Sequence, residues 1–585
     1  MADLPPDYFV SSLQYTKKTF QDGIVPSFAK AGVHGLVLVA QDEAKLKEVE
    51  REVLAINSKI ETLLVALDIT NEIAVGQLFD KIQARFGRYA VHWFITQRSM
   101  RPEMKEARYC MKPRLTNGGR TLTEITSFVT LSTNNMDPNE TKPKLNGSSN
   151  GAPNTKITEA VTDFFSAHPN IRFVRFQWQD LSGLLRGRII PLEHALAIAA
   201  GERTLRVGPV AFIGIVDNSL LPSTDFKGND VLVTDWTSLR TRQRLDPLYA
   251  SVMCKVVQHL PYLTQPNWNL CPRRALETVV EKAKQTLHAD FLVGLEVEFE
   301  IMKATDEGGY VPYAKSLGNC VVSSYRDPCF AFIEEAVVVL MDAGVKIDAF
   351  QSEGNRGQYE IALGPLPPVQ AVDQLLLVQD TLKHVFARHG LVATMSPRPL
   401  PSRRQSSGQH AHISINPPQD EESFLAGMLQ RLPQLCAFGL PYEISYERVK
   451  PVFAGNMVSW GTEDRAVPIR KVKAGHWEFR SLDATANMYL ALAAILSAGI
   501  LGCVTKEPLV LKDSGIDLHS DNKYGEMLPQ SIDEALNRLE TTFEELENMM
   551  ESRIIRHYLQ VKRYEASLVQ NMGTQAARDL LIELF

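Results

Sequence analysis

The sequence predicts a multidomain α/β protein. Three observations carry this. Helix and strand alternate between Gly23 and Met104 at the spacing of βαβ units; a polar stretch without hydrophobic period runs from Lys112 to Lys156; and a second globular stretch, Ile157 to Phe585, opens on strands and closes on long helices. A chain of 585 residues corresponds to roughly three to four domains.

In the first stretch Phe28–Ala31 reads as the end of a helix and Gly35–Ala40 (GLVLVA) as a short apolar strand. The amphipathic helix Glu43–Ile56, the strand Leu63–Leu67, the helix Ala74–Phe86 and the strand Val91–Ile95 follow, which makes a parallel sheet. The segment STNNMDPNETKPKLNGSSNGAPN gives residues 112–156 the composition of a disordered linker, and a compact domain rarely holds so long a loop. Beyond it, strands Arg172–Gln177 and Arg186–Ile190 flank the turn Asp180–Gly183, and Ser531 with Glu534 forms a capping box. The apolar run Tyr489–Val504 is short for a bilayer and reads as a buried helix.

Composition excludes several classes of function. Apolar residues at 44% can build large cores, and a net charge of −6 without a basic run argues against nucleic acid. Seven cysteines without a CxxC pair suit reduced thiols, and MADLPPDYFV lacks a secretory pattern. The expectation is a cytoplasmic protein without a membrane partner.

The most informative stretch is Gly294–Ile301 (GLEVEFEI). On a strand, Glu296, Glu298 and Glu300 share one face and Leu295, Val297, Phe299 and Ile301 the other. Any one such strand more often turns its polar face to water. Three more segments repeat the pattern, however: Gln409–Ile415 with His410, His412 and Ser414, His476–Arg480 with Glu478, and Gln351–Glu360 with Glu353 and Glu360. Converging, they would line a cavity with carboxylates and imidazoles, a donor set for Mg²⁺ or Mn²⁺. Spacing alone leaves convergence open. Arg448, Arg465, Arg470, Lys473 and Arg480 suit the charge of a transferring phosphoryl group, or else surface ion pairs.

The motifs GLEVEF, Glu353–Glu360, Ser407–Ser414 (SGQHAHIS), Trp460–Arg470 and Glu478–Leu490 (EFRSLDATANMYL) resemble the glutamine synthetases in order and spacing, over about Ile157 to Phe585. The branch resembled is the class I-like fungal one, which includes the glutamine-synthetase-like half of a conidiation regulator and the γ-glutamylpolyamine synthetases. The resemblance implies a β-grasp domain at 157–266 and a catalytic α/β domain at 267–585. It also implies a ring-type homo-oligomer with sites between subunits. Carried over, Glu298, Glu353 and Glu360 fall on the ligands of one metal, and Glu296, His410 and Glu478 on those of a second. His412, Ser414 and Lys473 fall where ATP is held, Arg465 and Arg470 at its phosphates, and Arg448 and Arg480 at the glutamate substrate.

The departures are selective. The flap acid of the family would lie in Pro451–Gly455, where the nearest residue is Ala454. The Asn-Gly pair before Ser-Gly-x-His is Gln405-Ser406, an arginine at the phosphates is His476, and Asn-Pro-Tyr is Asn487-Met488-Tyr489. Metal and nucleotide groups are kept while the ammonium side is altered, as in a change of amine. The implied activity is an ATP- and Mg²⁺- or Mn²⁺-dependent ligase joining the γ-carboxylate of glutamate or a related acid to ammonia or an amine. The alternative is an inactive regulatory or scaffold protein.

Residues 1–111 resemble a truncated short-chain dehydrogenase, a partial Rossmann-like fragment, through Phe28–Gly32, Gly35–Ala40, Ala66–Thr70 (with Asp68 at the adenine position) and Phe79–Gly87. No glycine-rich turn precedes the first helix, and Tyr109 is followed four places on by Pro113, so no functional NAD(P) site is expected. The leader Gln14–Lys17 runs into the helix end at Phe28, so the first, interior strand of this sheet is expected to be missing.

Overall fold

The computed structural model describes residues 155–208, 211–222, 228–259, 267–418, 420–451, 453–516 and 522–585, preceded by four strands and six single residues between 47 and 58. Contacts divide the chain into two units, Met1–Leu145 and Asn146–Phe585.

The first unit holds β1 (Tyr8–Ser12), β2 (Gly35–Ala40), β3 (Glu61–Ala66) and β4 (Val91–Ile95) in the order β3-β2-β1-β4. All neighbours are parallel. The expected loss of the interior strand is corrected here. Tyr8–Ser12 fills that place, pairing Tyr8 with Gly35 on one side and Val91 on the other. Its Tyr-Phe-Val run has the aromatic and β-branched character of a strand. Of the expected helix Glu43–Ile56, Lys47, Glu50, Arg51, Leu54 and Ala55 are helical. The elements expected at Phe28–Ala31 and Ala74–Phe86, and the linker as far as residue 154, lie outside the described residues.

The second unit opens with α1 (Thr155–Ala167), which starts two residues inside the expected linker. A five-stranded sheet follows, built of β5 (Phe173–Gln179), β6 (Leu185–Pro191), β7 (Leu205–Val207), β8 (Asn229–Thr241) and β9 (Tyr249–His259), with α2 (Leu192–Ala199) after β6. The order is β6-β5-β9-β8-β7, with only β5 and β9 parallel among these pairs. Between β5 and β6, Gly183 takes φ +92°, and a Cβ there would lie 2.6 Å from the Thr485 carbonyl oxygen. Only glycine suits both demands.

The helices that follow are α3 (Pro272–Thr286), α4 (Phe330–Asp342), α5 (Pro368–Arg388), α6 (Glu421–Gln430), α7 (Leu432–Gly439) and α8 (Met488–Thr505). Four more close the chain: α9 (Ile532–Glu540), α10 (Phe543–Met550), α11 (Ile554–Met572) and α12 (Thr574–Leu584). The apolar run found in the sequence is α8, started by the Asn487 side chain accepting from Leu490 N at 3.0 Å. It is apolar all round because α3 and α6 pack against it, and 83% of its apolar window is buried. At α9, Ser531 Oγ accepts from Glu534 N at 3.2 Å as expected. The return bond goes one residue further out, from Gln530 N to Glu534 Oε2 at 2.9 Å.

A nine-stranded mixed sheet positions the polar motifs. Its strands are β10 (Asp290–Ala304), β11 (Tyr310–Pro312), β12 (Ile347–Ser352), β13 (Gln358–Leu363), β14 (Val392–Thr394), β15 (Ala411–Asn416), β16 (Trp460–Thr462), β17 (Ile469–Lys473) and β18 (His476–Phe479). The main order is β12-β13-β10-β15-β18-β17-β16, with β11 and β14 also on β10. Strand β10 is long enough to serve two partners on opposite edges. Asp290–Leu295 pairs with β15, and Glu296–Glu300 pairs with β13. Its apolar residues Leu295, Val297, Phe299 and Ile301 are buried, with α5 and α3 packed on the strand.

Candidate active site

Register decides which side chains meet. Directly opposed residues of paired strands share a face. Glu298 opposes Glu360, Gly294 opposes His412, His412 opposes Glu478, and Glu478 opposes Arg470. Gln351 on β12 opposes Glu360, and Glu353 follows two residues later. Six neighbouring strands therefore turn these polar positions to one side. The reading of β10 as a strand with a wetted polar face is excluded by burial, since Glu298 is 5% and Glu300 1% exposed.

His410 sits at the centre of the cluster. Its Nδ1 lies 3.1 Å from both Glu296 Oε2 and Glu478 Oε1, and its Nε2 lies 3.9 Å from Glu298 Oε1. Burial lowers its basicity, but hydrogen bonds to Glu296 and Glu478 win and carry its pKa to about 9. Burial pushes Glu296 up, while His410 and His412 hold it down at about 2. Glu478 is held well below the carboxylate range in spite of burial, by His410 and by Arg480.

On the β13 side the balance reverses. Glu360 is pushed up to about 8 by burial and by the charges of Glu296, Glu298 and Glu353. Glu353 is raised by burial and Glu298. Carboxylates crowded until one retains its proton are what a divalent cation neutralises. The donor set of carboxylates and imidazoles suits a divalent cation.

The expected nucleotide residues divide. His412 Nε2 lies 3.0 Å from Glu296 Oε1, so it stands within the carboxylate cluster, and its Nδ1 lies 3.2 Å from His476 Nε2. Burial, His412 and Lys473 lower the His476 pKa to about 4. Ser414 opposes His476 on the sheet, while Lys473 is exposed. Of the arginines, Arg470 donates to Glu478 Oε2 at 3.0 Å and also pairs with Glu463, and Arg480 donates to Glu478 Oε1. Arg448 is buried, donates to the Ser407 carbonyl and is lowered in pKa by burial. Arg465 stands exposed, outside this network. Ala454 is buried beside Gly455 in the turn after Lys450.

Two groups were not singled out in the sequence. Gln358 donates to Glu298 Oε2 at 2.9 Å and to Ser407 Oγ at 3.4 Å, which orients the carboxylate. It precedes Glu360 by two residues, so strand period alone places it on the same face. Gly408 N also donates to Glu298 Oε2 at 2.9 Å. A Cβ on Gly408 would stand 2.7 Å from His410 Nε2 and 2.8 Å from Arg448. The third glutamate of β10, Glu300, is diverted from the cluster by Arg403, whose Nε and a terminal nitrogen lie 2.9 and 2.8 Å from Oε2.

Known proteins resemble this chain in sequence and fold. Residues 269–580 match the family described as glutamine synthetase, catalytic domain. Protein fluG of Emericella nidulans is 32% identical over 444 residues, 73% of this chain and 50% of that protein, so the chain spans about half the length of this relative. A glutamate–isopropylamine ligase of Pseudomonas is 28% identical over 70% of this chain and 95% of its own. The crystal structure of a novel glutamine synthase homolog superposes with a TM-score of 0.60 at 25% identity, over 71% of this chain and 99% of that one. The chain belongs to the glutamine synthetase family.

Proposed function

We infer from this membership, and from the geometry of the site, that the chain is an ATP- and divalent-metal-dependent ligase that joins the γ-carboxylate of glutamate, or of a related acid, to a primary amine. One observation carries the reading: the acid and imidazole cluster is complete and buried or half-buried, while Ala454 occupies the segment where the family resemblance puts a flap acid. The isopropylamine ligase among the relatives supports an amine larger than ammonia.

Divalent cations held by Glu298, Glu353 and Glu360, and by Glu296, His410 and Glu478, would supply positive charge against the phosphates of ATP. The chain's own residues do the rest. Gln358 and Gly408 N hold the Glu298 carboxylate in place. Ser414, Lys473 and His476 lie along the β15, β17 and β18 strands toward the nucleotide, and His412 stands at their edge among the carboxylates. Arg465 and Arg470 face the phosphates, and Arg448 and Arg480 the acid. The γ-carboxylate oxygen takes the terminal phosphoryl group as ADP leaves, and arginines stabilise charge on that group. The amine nitrogen, its proton given up to solvent, then attacks the acyl carbon, forming the C–N bond as the C–O bond to phosphate breaks. We extend the reading to a ring-type homo-oligomer in which the 157–266 domain of one subunit completes the site of the next, with no NAD(P) role for residues 1–111.

Without a flap acid an ammonium ion loses a carboxylate partner. A carbon chain in its place gains about 0.8 kcal/mol per buried methylene. The test is phosphate release with glutamate and a panel of ammonium, methylamine, ethanolamine and polyamines, at Mg²⁺ and at Mn²⁺. The expected result is a higher kcat/KM for a primary amine than for ammonium, and a return toward ammonium of about tenfold in Ala454→Glu. Release with none of the amines at either metal would end the ligase reading. Ammonium as the best acceptor would end the amine assignment.

A further inference from the structure

Two imidazoles, not one, lie between Glu296 and Glu478. One donor atom each from Glu296, His412 and Glu478 falls within a cage in which all are within 4.8 Å of one another. Donors bound to one ion at about 2.0–2.2 Å lie no more than about 4.4 Å apart. A contraction of a few tenths of an ångström closes this cage of three, and His410 has to move further to join it. His410 Nδ1 already lies 3.1 Å from both carboxylates. The two histidines are at alternate positions of one extended segment, so both turn to the same side, and His412 directly opposes Glu478 across the ladder.

The outer nitrogen of His412 is provided for as well. When Nε2 is a ligand, Nδ1 keeps its proton and needs an acceptor. His476 Nε2 lies 3.2 Å away, with the two rings edge to face at 88°. An arginine at position 476 could only donate and would leave that proton without an acceptor. The histidine at 476 therefore orients His412.

We propose that His412 is a fourth protein ligand of the cation held by Glu296, His410 and Glu478, that His476 is its positioning residue, and that this site selects Mn²⁺ or another imidazole-binding divalent ion over Mg²⁺. Nitrogen donors suit those ions, whereas Mg²⁺ takes oxygen and water. The proposal rests on the ligase reading only in requiring a divalent cation.

The test uses the full-length protein, stripped of metal and loaded with one and then two equivalents of Mn²⁺ without nucleotide. Pulsed EPR counts the nitrogen atoms bound to manganese. The unmutated protein is expected to show two imidazole couplings, and His412→Asn one. Mn²⁺ affinity, read from the free-ion signal, should fall about tenfold in His412→Asn. Affinity for Mg²⁺, read by competition, should change by less than about threefold. His476→Arg should lose the second coupling, and His476→Gln, whose amide oxygen still accepts, should keep it. Fewer than two couplings in the unmutated protein would overturn the proposal without reliance on any variant folding. So would a second coupling that survives His412→Asn. One coupling with amine-dependent phosphate release intact leaves the ligase reading standing, whereas no Mn²⁺ binding at all removes both.

Discussion

Glu565 and Glu298 are both buried glutamates, and their surroundings are opposite. Glu565 on α11 accepts from Ser182 Oγ at 2.6 Å, Val216 N at 3.0 Å, Lys562 Nζ at 2.8 Å and Tyr442 OH at 3.2 Å. The Lys562 ammonium also lies 4.0 Å from the centre of the Tyr442 ring. Every charge there has a counter-charge and every lone pair a donor. Nearby, Asp180 is served by Arg186 at 2.7 Å and Leu184 N at 2.9 Å. Glu298 has neutral donors in Gln358 and Gly408 and the His410 imidazole 3.9 Å away, but Glu353 and Glu360 crowd it until Glu360 keeps its proton to about pH 8. A balanced cluster holds the turn of the five-stranded sheet against the helices. An unbalanced one stores a demand for positive charge. The difference separates structure from function without reference to a ligand.

The contrast can be broken most directly at Lys562. Lys562→Ala leaves Glu565 buried and uncompensated, at a cost of about 3–5 kcal/mol. Urea unfolding followed by circular dichroism measures it. Replacing both partners, Lys562→Met with Glu565→Leu, should recover most of the loss. A single variant as stable as the parent would show that the charge balance is incidental.

At the site the same kind of change should act on catalysis instead. Glu298→Gln relieves repulsion, so stability in EDTA should stay within about 1 kcal/mol of the parent. Phosphate release should fall by about a hundredfold or more, equivalent to ~2.7 kcal/mol. A stability loss as large as that of Lys562→Ala would make the two clusters alike.

A smaller effect sharpens the comparison through pH. Glu360 holds its proton up to about pH 8 in the folded chain, above the 4.5 of an ordinary glutamate. The folded state therefore binds the extra proton between those values. The stability this gives is full below about pH 4.5 and is lost as pH rises toward 8. His410, raised from 6.5 to about 9, contributes stability that is present below 6.5 and lost as pH rises through 9, the same direction. Glu296, lowered to about 2, changes only at acid pH, outside that window. The midpoint of thermal unfolding in EDTA should fall by roughly 2–4 °C between pH 5.5 and 8. Saturating Mn²⁺ should reduce the dependence, leaving the share of Glu300 and Asp230, whose pKa values burial raises to about 7 away from the cluster. A flat profile in EDTA would contradict the crowding of carboxylates.

Much of the site was legible because strand period is a local property. Glu296, Glu298, His410, His412 and Glu478 declare their common face at every second residue. What local period cannot show is the neighbour across the ladder. Only the register reveals that His412 opposes Glu478 and lies among carboxylates. Gln358 shares the period of Glu360 but is uncharged, so a search for charged donors passes over it. Lys562 and Glu565, three residues apart on a helix, look like a solvated pair until Ser182 and Tyr442 close over them. Tyr8–Ser12 is too short to stand out, and its partners lie 27 and 83 residues further along the chain. The strands Gly35–Ala40 and Val91–Ile95, by contrast, were legible to the residue, because apolar runs bounded by turns mark their own ends.

Strand β10 also acts as a ruler. Glu296 and Glu298 are two residues apart on one extended backbone, so their Cα atoms are separated by about 6.7 Å. No loop intervenes to lengthen or shorten that interval. The pitch of the peptide chain therefore sets the gauge between these two carboxylates, and substitutions elsewhere can retune the surroundings of each but not the gap. The graduation is also discrete. A single residue inserted between Val293 and Glu298 would exchange the two faces of the strand on one side of the insertion. Part of the acidic row would then turn toward α5, so evolution can alter the marks on this scale but not slide them.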